Sequence, residues 1–254
     1  MQITGNTILI TGGTSGIGRA LAEALHNQGN QLIIAGRRQS LLDEITAAHP
    51  AMQSAALDVQ NLDSLPAFAA QIATQFPSLN VLINNAGIQK SEDLNDPSAD
   101  FSIVEETIAT NLLAPLRLTA ALLPHFKKQP RATVMTVSSG LAFVPKASTP
   151  AYSATKAAIH AWTQSLRYQL RNTKVEVLEL IPPYVQTELQ GQRQAADPNA
   201  MPLADYIAEV MQILRTQPDA KEILVQRVFP LRFAAEKGQA AYDEFFTTLN
   251  NRMH

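Results

Sequence analysis

The 254-residue sequence contains no cysteine at all. Disulfides, cysteine-ligated metals and thiol nucleophiles are therefore excluded together. The five histidines are scattered along the chain without the spacing of metal ligands. The sequence alone thus predicts no metal site.

The sequence also has neither a large excess of one charge nor a long apolar run. The formal net charge is −2, without the basic excess that nucleic acid or an anionic membrane surface attracts. No apolar run approaches the roughly 18 residues of a membrane-spanning helix. The first residues enter a predicted strand almost at once, unlike a signal peptide. These features favour a soluble cytoplasmic protein with no nucleic-acid or membrane partner.

Short apolar runs alternate along the chain with longer amphipathic stretches. The runs are nearly continuous in apolar residues, which is typical of parallel strands buried on both faces. They cover residues 7–11, 31–35, 54–59, 81–84, 133–138, 175–181 and 222–226. Helical patterns cover residues 17–28, 40–48, 62–76, 102–126 and 151–171. This order predicts an α/β fold, a Rossmann-type doubly wound sheet of about seven parallel strands with helices on both faces.

No repeat or linker divides the chain, so a single domain over residues 1–254 is the simplest organisation. Residues 186–203 are rich in Gln, Ala, Pro and Asn and are interpreted as a mobile excursion. Residues 238–252 have the pattern of an amphipathic helix.

A glycine-rich turn directly follows the first predicted strand and opens a helix. It has the spacing T-G-x-x-x-G-x-G, in the run Thr11-Gly12-Gly13-Thr14-Ser15-Gly16-Ile17-Gly18. Gly12 allows the tight turn, Gly16 lets the backbone approach a diphosphate, and Gly18 lets the helix pack closely. The free N–H groups of the helix then face the phosphates. The turn predicts a dinucleotide site at Gly12, Thr14, Ser15, Gly16, Ile17 and Gly18, and a plain connecting loop is the alternative.

The end of the second predicted strand lacks a carboxylate. An acidic residue there usually binds the ribose 2′-OH of NAD, but the sequence reads Ala35-Gly36-Arg37-Arg38. Guanidinium groups suit a 2′-phosphate through charge-assisted hydrogen bonds. The cofactor expected is therefore NADP(H) rather than NAD(H), with Arg37 the favoured contact. The alternative is that both arginines are simply solvated.

Tyr152 and Lys156 are four residues apart and share one face of a predicted helix. Ser139 ends an upstream strand and can reach the same cleft at the carboxyl ends of the strands. Lys156, together with a positively charged oxidised nicotinamide, would lower the pKa of the Tyr152 phenol. Tyr152 would then exchange a proton with a carbonyl or alcohol oxygen that Ser139 holds. The alternative is an ordinary helix surface.

On these motifs the chain resembles the classical short-chain dehydrogenases/reductases over nearly its whole length. The resemblance implies an NAD(P)-binding catalytic domain in which Asn111, Ser139, Tyr152 and Lys156 form the catalytic set. Asn111 would hold a water for a relay through the lysine. The cofactor contacts that it implies include Asp58, Val59, Asn85, Ala86, Gly87, Tyr152, Lys156, Pro182, Val185 and Thr187.

One motif departs from the family pattern. After the sixth strand the family usually has Pro-Gly, whereas this chain has Pro182-Pro183, and Pro183 removes a backbone donor and fixes φ. This variant and the tail beyond Glu222 resemble a bacterial subgroup that includes the oxidoreductase associated with D-alanylation of teichoic acid.

The substrate pocket is expected near Leu141, Tyr184 and Leu189, with residues 186–203 as its lid. Phe143 and Met201 are further candidates, and each of the five could instead pack in the core. An apolar lining suits a hydrophobic carbonyl compound. The resemblance also implies a homodimer or homotetramer, with helices 102–126 and 151–171 as the pair that forms the dimer. The alternative is that these helices pack only on their own sheet. The sequence thus predicts an NADP(H)-dependent oxidoreductase acting on a carbonyl/alcohol pair, and a non-catalytic NADP(H)-binding sensor is the alternative.

Overall fold

The structure, a computed structural model, describes residues 1–251. Seven parallel strands form one sheet in the order β3-β2-β1-β4-β5-β6-β7. The strands are β1 (Thr7–Thr11), β2 (Gln31–Gly36), β3 (Gln53–Ala56), β4 (Leu79–Asn84), β5 (Ala132–Val137), β6 (Val175–Leu180) and β7 (Glu222–Ile223). The strand order reverses between β1 and β4, and ligands of open α/β sheets bind at such a reversal. The predicted doubly wound parallel sheet is confirmed.

The helices cover both faces of this sheet. Those described are α1 (Gly16–His26), α2 (Gln39–Ala48), α3 (Leu65–Gln75), α4 (Ser102–Ile108), α5 (Ala114–Phe126), α6 (Pro150–Gln169), α7 (Gln192–Ala195), α8 (Leu203–Thr216), α9 (Phe229–Arg232) and α10 (Gln239–Asn251). A π-helical turn, Ala109–Leu113, joins α4 to α5. Among residues 1–251, none of the helices combines the length and the apolar character that crossing a bilayer requires.

The core consists of two apolar layers separated by the sheet. Ile8 and Ile10 of β1 point into the layer covered by α1, α2 and α8. Leu9, between them, points into the layer covered by α3, α5 and α6. This alternation follows from the two-residue period of a strand and explains why the three central residues of β1 are all apolar and all five of its positions are buried.

The outer strands differ from the prediction. The prediction that every strand is buried on both faces is wrong for β3. Gln53, Ser54 and Ala56 are exposed there, because β3 is an edge strand. The strand predicted at 54–59 ends at Ala56. The strand predicted at 222–226 contains only Glu222–Ile223, and it forms the opposite edge. Short edge strands of this kind limit unwanted pairing with other chains.

The single helix predicted at 102–126 is interrupted by the π-helical turn at Ala109–Leu113. Pro115 provides a physical reason for the interruption. It has no N–H to donate to the carbonyl of Asn111, four residues earlier, so the regular hydrogen-bond pattern of an α-helix is interrupted there. Wide turns of this type often occur at functional sites.

The two segments predicted after β6 both contain helices. Within 186–203, α7 is followed by a return to the body of the protein, where Met201 forms a bridge with Val185. The predicted carboxyl-terminal helix at 238–252 corresponds to α10, Gln239–Asn251. Arg252 lies outside the described residues.

Candidate active site

A cavity of about 540 Å³ lies where the strand order reverses. Most of the residues predicted for the site line its wall. They are Gly12, Thr14, Ser15, Gly16, Ile17, Gly18, Arg37, Arg38, Val59, Asn85, Ala86, Gly87, Ser139, Leu141, Tyr152, Lys156, Pro182, Tyr184, Val185, Thr187 and Leu189. One cavity therefore connects the glycine turn with the catalytic candidates.

Four candidates lie outside this wall. Asp58 accepts a hydrogen bond from the N–H of Gln60, and Asn111 is buried behind Gly87. Phe143 and Met201 pack against the apolar core on the side of α1 and α8. Phe143 and Met201 therefore pack in the core, which was the alternative to their lining the substrate pocket.

The glycine turn has a backbone that only glycine adopts readily. Gly12 and Gly16 have φ values of +67° and +53°. A Cβ on Gly18 would lie 2.3 Å from the carbonyl oxygen of Gly12 and 2.3 Å from Nδ2 of Asn85, so this residue needs close packing. Ser15 precedes α1 and its side chain makes no capping hydrogen bond. The first N–H groups of α1 therefore remain available to an anion such as a diphosphate.

Asn85 joins this turn to the end of β4. Its Nδ2 donates to the carbonyl oxygens of Thr11 and Gly12 at 3.0 and 3.2 Å. The hydroxyl oxygen of Thr11 in turn accepts from the N–H groups of Asn85 and Ala86, both at 3.1 Å. The two motifs therefore form one hydrogen-bonded unit at the sheet reversal.

The two arginines after β2 differ in how firmly they are held. Arg38 donates from Nη2 to the hydroxyls of Thr14 and Ser15 at 3.1 and 2.9 Å. Arg37 is 57% exposed, and its Nη1 lies 4.0 Å from Oδ1 of Asp58. Arg38 is thus fixed to the glycine turn, whereas Arg37, the residue favoured from the sequence, is free to reorient.

Tyr152, Lys156 and Ser139 are buried together in the cavity wall, with exposed fractions of 6%, 5% and 8%. Nζ of Lys156 donates to the carbonyl oxygen of Val137 at 2.8 Å and lies 5.5 Å from the centre of the Tyr152 ring. Ser139 precedes a turn and its hydroxyl accepts from the N–H of Leu141 at 3.1 Å. The arrangement brings a phenol, a hydroxyl and an ammonium to one place.

Burial dominates the acid–base properties of this group. It raises the pKa of Tyr152 to about 12, and a hydrogen bond with Ser139 acts in the opposite direction. It lowers the pKa of Lys156 to about 8, against the attraction of Glu179. In the protein alone, then, the Tyr152 pKa is not lowered as the sequence suggested. Tyr152 is a neutral phenol at neutral pH, which is the form that donates a proton.

Asn111 lies in the π-helical turn, and its side chain is held by hydrogen bonds to Ile88. Its Oδ1 accepts from the N–H of Ile88, and its Nδ2 donates to the carbonyl oxygen of Ile88, both at 2.9 Å. Nδ2 also lies 3.3 Å from the hydroxyl of Thr155. A Cβ on Gly87 would approach both Oδ1 of Asn111, at 3.3 Å, and Nζ of Lys156, at 3.7 Å. Asn111 therefore adjoins the lysine across Gly87.

Sequence reasoning missed several residues of the wall. Lys146, Leu231 and Leu249 line the cavity, although none of them belongs to a motif. A Cβ on Gly140, beside Ser139, would lie only 2.5 Å from Cδ1 of Leu231, so the late segment around α9 packs directly on the Ser139 turn. Contacts of this kind leave no local signal in the sequence.

The fold also assembles a partly buried cluster of ionisable side chains at α6. Possible ligand atoms of His160, Glu179 and Glu222 lie within 4.8 Å of one another. Nδ1 of His160 is 2.8 Å from the buried Glu179, while Arg232 binds both oxygens of Glu222, at 2.6 and 3.1 Å. Because the guanidinium occupies Glu222 and repels a second cation, the cluster is better described as an ion-pair network than as a metal site.

Comparisons with known proteins show the family of the chain. The family profile described as short chain dehydrogenase matches residues 6–198. An uncharacterized oxidoreductase, DltE of Bacillus subtilis, is 38% identical over 255 residues, which cover 99% of each chain. An NADP-dependent 3-hydroxy acid dehydrogenase of Schizosaccharomyces pombe is 31% identical over 90% of this chain and 94% of its own.

Solved structures show the same fold. A short chain dehydrogenase from Burkholderia cenocepacia, in complex with NADP, superposes with a TM-score of 0.81. The superposition covers 98% of this chain and 99% of the other at 23% identity.

Proposed function

The chain belongs to the short-chain dehydrogenase family and is an oxidoreductase of that family, and we propose that it transfers a hydride between NADP(H) and a carbonyl/alcohol pair. The observation that carries this proposal is the burial of Tyr152 beside Ser139 and Lys156 in a cavity that begins at the glycine turn. Turnover of a panel of carbonyl compounds, followed by the loss of nicotinamide absorbance from NADPH, tests it. A protein that binds NADPH but reduces no carbonyl would contradict it.

The cavity suits a dinucleotide cofactor at its glycine-turn end. The left-handed Gly12 and Gly16 and the uncapped start of α1 fit a diphosphate, and Arg37 and Arg38 fit a 2′-phosphate. Further contacts are proposed from Asp58, Val59, Asn85, Ala86, Gly87, Pro182, Val185 and Thr187. Bound NADP(H) would supply or accept the hydride. The name of the Schizosaccharomyces pombe relative, an NADP-dependent enzyme, supports this choice of cofactor.

The catalytic roles follow from the positions of the side chains. In the reducing direction Tyr152, a buried neutral phenol, donates its proton to the carbonyl oxygen. Ser139 donates a hydrogen bond to the same oxygen and stabilises the charge that develops there. Lys156 holds positive charge nearby and binds the ribose hydroxyls of the nicotinamide. Asn111 keeps a water beside Lys156, and Leu141, Tyr184 and Leu189 contact the substrate.

Replacement of both arginines, in an Arg37→Ala/Arg38→Ala variant, is expected to weaken NADPH binding by about 10- to 100-fold, because charge-assisted bonds to a phosphate are lost. NADH affinity, measured in the same nicotinamide-fluorescence titration, should change little. Since Arg38 also supports Thr14 and Ser15, the NADH titration is the control for damage to the turn. Equal losses for both cofactors, or tighter binding of NADH by the wild type, would contradict the choice of NADP(H).

The whole protein is proposed to be one catalytic domain, with residues 186–203 as a substrate lid. It is proposed to form a homodimer or homotetramer and to act in the cytoplasm. Exposed apolar side chains on and beside α4, the π-helical turn and α6 support the oligomer, because such surfaces are typical of interfaces. They are Phe101, Ile108, Leu113 and Tyr168. A tetramer needs a second interface in addition to that of the dimer. The final helix α10 would cover the edge where this second interface forms, so a dimer is favoured over a tetramer. Light scattering that shows a monomer would contradict an oligomer, and a tetramer would contradict the role of α10.

A further inference from the structure

The wall of the cavity that contains Ser139 and Tyr152 is formed by segments that are far apart in the chain. The turn after β5 contributes Leu141 and Lys146, the segment after β6 contributes Leu189, and α10 contributes Leu249. Three of these four side chains are aliphatic. Lys146 is the cation among them, and neither the cofactor contacts nor the catalytic roles use it.

The backbone of Lys146 is fixed between α6 and α10. Its N–H donates to the hydroxyl of Ser153, next to Tyr152, at 3.1 Å. On the other side, Oδ1 of Asn250 accepts from the N–H of Ala147 at 2.6 Å, and Nδ2 of Asn250 donates to the carbonyl oxygen of Pro145 at 3.2 Å. Lys146 is therefore held at the same wall as Tyr152 and Leu249 rather than placed on a free loop.

The charge of Lys146 is uncompensated within the described chain. Among the ion pairs formed by residues 1–251, none includes Lys146. Partial burial and the repulsion of Arg193 on α7 lower the pKa of Lys146. Glu188, a carboxylate in the same wall, accepts a hydrogen bond from Gln192 at 2.7 Å and is in no ion pair with Lys146 among the described residues. A half-buried cation without a counterion costs free energy that a bound anion would offset.

We propose that Lys146 binds the carboxylate of the substrate, so that the protein acts on an oxo acid or the corresponding hydroxy acid with an aliphatic body. The aliphatic part would pack on Leu141, Leu189 and Leu249. One lysine supplies one positive charge, which a carboxylate balances, whereas a phosphate monoester carries a charge of about −1.5 to −2 at neutral pH. This inference rests on the proposed function, and it replaces a purely hydrophobic substrate with an amphiphilic one. Reduction adds one hydride to the keto carbon and one proton to its oxygen, and the carboxylate is unchanged.

Binding of a carboxylate to the complete chain tests the subsite without any turnover. Hexanoate and hexanamide, which have the same aliphatic body, are titrated by calorimetry into the protein saturated with NADP⁺. Hexanoate should bind about 10- to 100-fold more tightly, as expected for a hydrogen bond to a charged group. The preference should disappear in Lys146→Met, persist in Lys146→Arg, and be unchanged in Lys128→Met, which alters an exposed lysine after α5.

Equal binding of hexanoate and hexanamide by the wild type, or a preference that survives in Lys146→Met, would overturn the subsite. A second experiment compares kcat/KM for 2-, 3-, 4- and 5-oxo acids with that for their methyl esters. At least one acid should exceed its ester, and Lys146→Met should remove that difference; no acid exceeding its ester would overturn the inference. No reduction of any carbonyl, with a hexanoate preference that depends on Lys146, would instead overturn the proposed function and support the carboxylate subsite.

Discussion

The variant Tyr152→Phe is expected to lower kcat for carbonyl reduction by about 10²- to 10⁴-fold, the usual contribution of a positioned general acid. The substitution removes the phenolic proton and leaves the ring, which is buried in the cavity wall. NADPH affinity should therefore stay nearly unchanged. Stopped-flow measurement of nicotinamide oxidation gives the rate, and a fluorescence titration gives the affinity.

A matched control is available on the same helix. Tyr168 is 67% exposed and does not line the cavity, and phenylalanine keeps the apolar ring that the proposed subunit interface would use. Tyr168→Phe should therefore have wild-type kcat and wild-type NADPH affinity. A Tyr152→Phe enzyme that retains wild-type kcat would show that another group donates the proton. A loss of NADPH binding in step with kcat would assign Tyr152 to binding rather than to proton transfer.

The variant Lys156→Met is expected to have opposite effects on activity and on stability. Loss of the ammonium from the site should lower kcat by about 10²- to 10³-fold, as for other removed electrostatic contacts. The folded protein should nevertheless become more stable, by about 1 kcal/mol. Burial lowers the pKa of Lys156 from 10.5 to about 8, which corresponds to a cost of about 3 kcal/mol for the charged form. Loss of the hydrogen bond from this charged donor to the buried carbonyl of Val137 offsets about 2 kcal/mol of that gain.

The difference in the free energy of unfolding between Lys156→Met and the wild type should depend on pH. Urea unfolding of the two proteins at several pH values measures it. Below pH 8 the lysine is charged in the folded and the unfolded protein, so the full cost is present. Between pH 8 and 10.5 the unfolded wild type binds more protons than the folded wild type, so wild-type stability rises with pH relative to that of the variant. The advantage of Lys156→Met should therefore shrink over this interval, while Lys128→Met should match the wild type throughout. A Lys156→Met protein that is less stable at pH 7 would contradict the account.

The sequence predicted the architecture because a strand covered on both faces is nearly continuous in apolar residues. That rule identified β1 and β2 almost to the residue, but it failed at the edges of the sheet, where β3 and β7 have a neighbour on one side only. It also failed to predict the break at Ala109–Leu113, since the helical pattern continues across the π-helical turn. Pro115 was the one feature of the sequence that could have indicated this interruption. Its effect on the helix depends on which carbonyl it leaves without an N–H donor.

The candidate site was predicted where short motifs determine it. The glycine turn and the Tyr152–Lys156 pair are local patterns, and the structure places both on one cavity wall. Lys146 and Leu249 could not be found in that way, because the contacts of Asn250 with residues 145–147 join segments about 100 residues apart. The high pKa of Tyr152 could not be predicted from the sequence either, because it depends on how completely the phenol is buried.

The central claim is that a hydride passes between NADP(H) and a carbonyl substrate in this cavity. Its most direct test is to supply NADPH deuterated at C4 of the nicotinamide, with an oxo acid panel, and to search by mass spectrometry for deuterium in the alcohol products. We predict deuterium on the carbinol carbon of at least one hydroxy acid product with the wild type, and at least a 100-fold slower appearance with Tyr152→Phe. Tight binding of NADPH without transfer of deuterium to any carbonyl would contradict the claim and would favour a sensor that binds the nucleotide without catalysis.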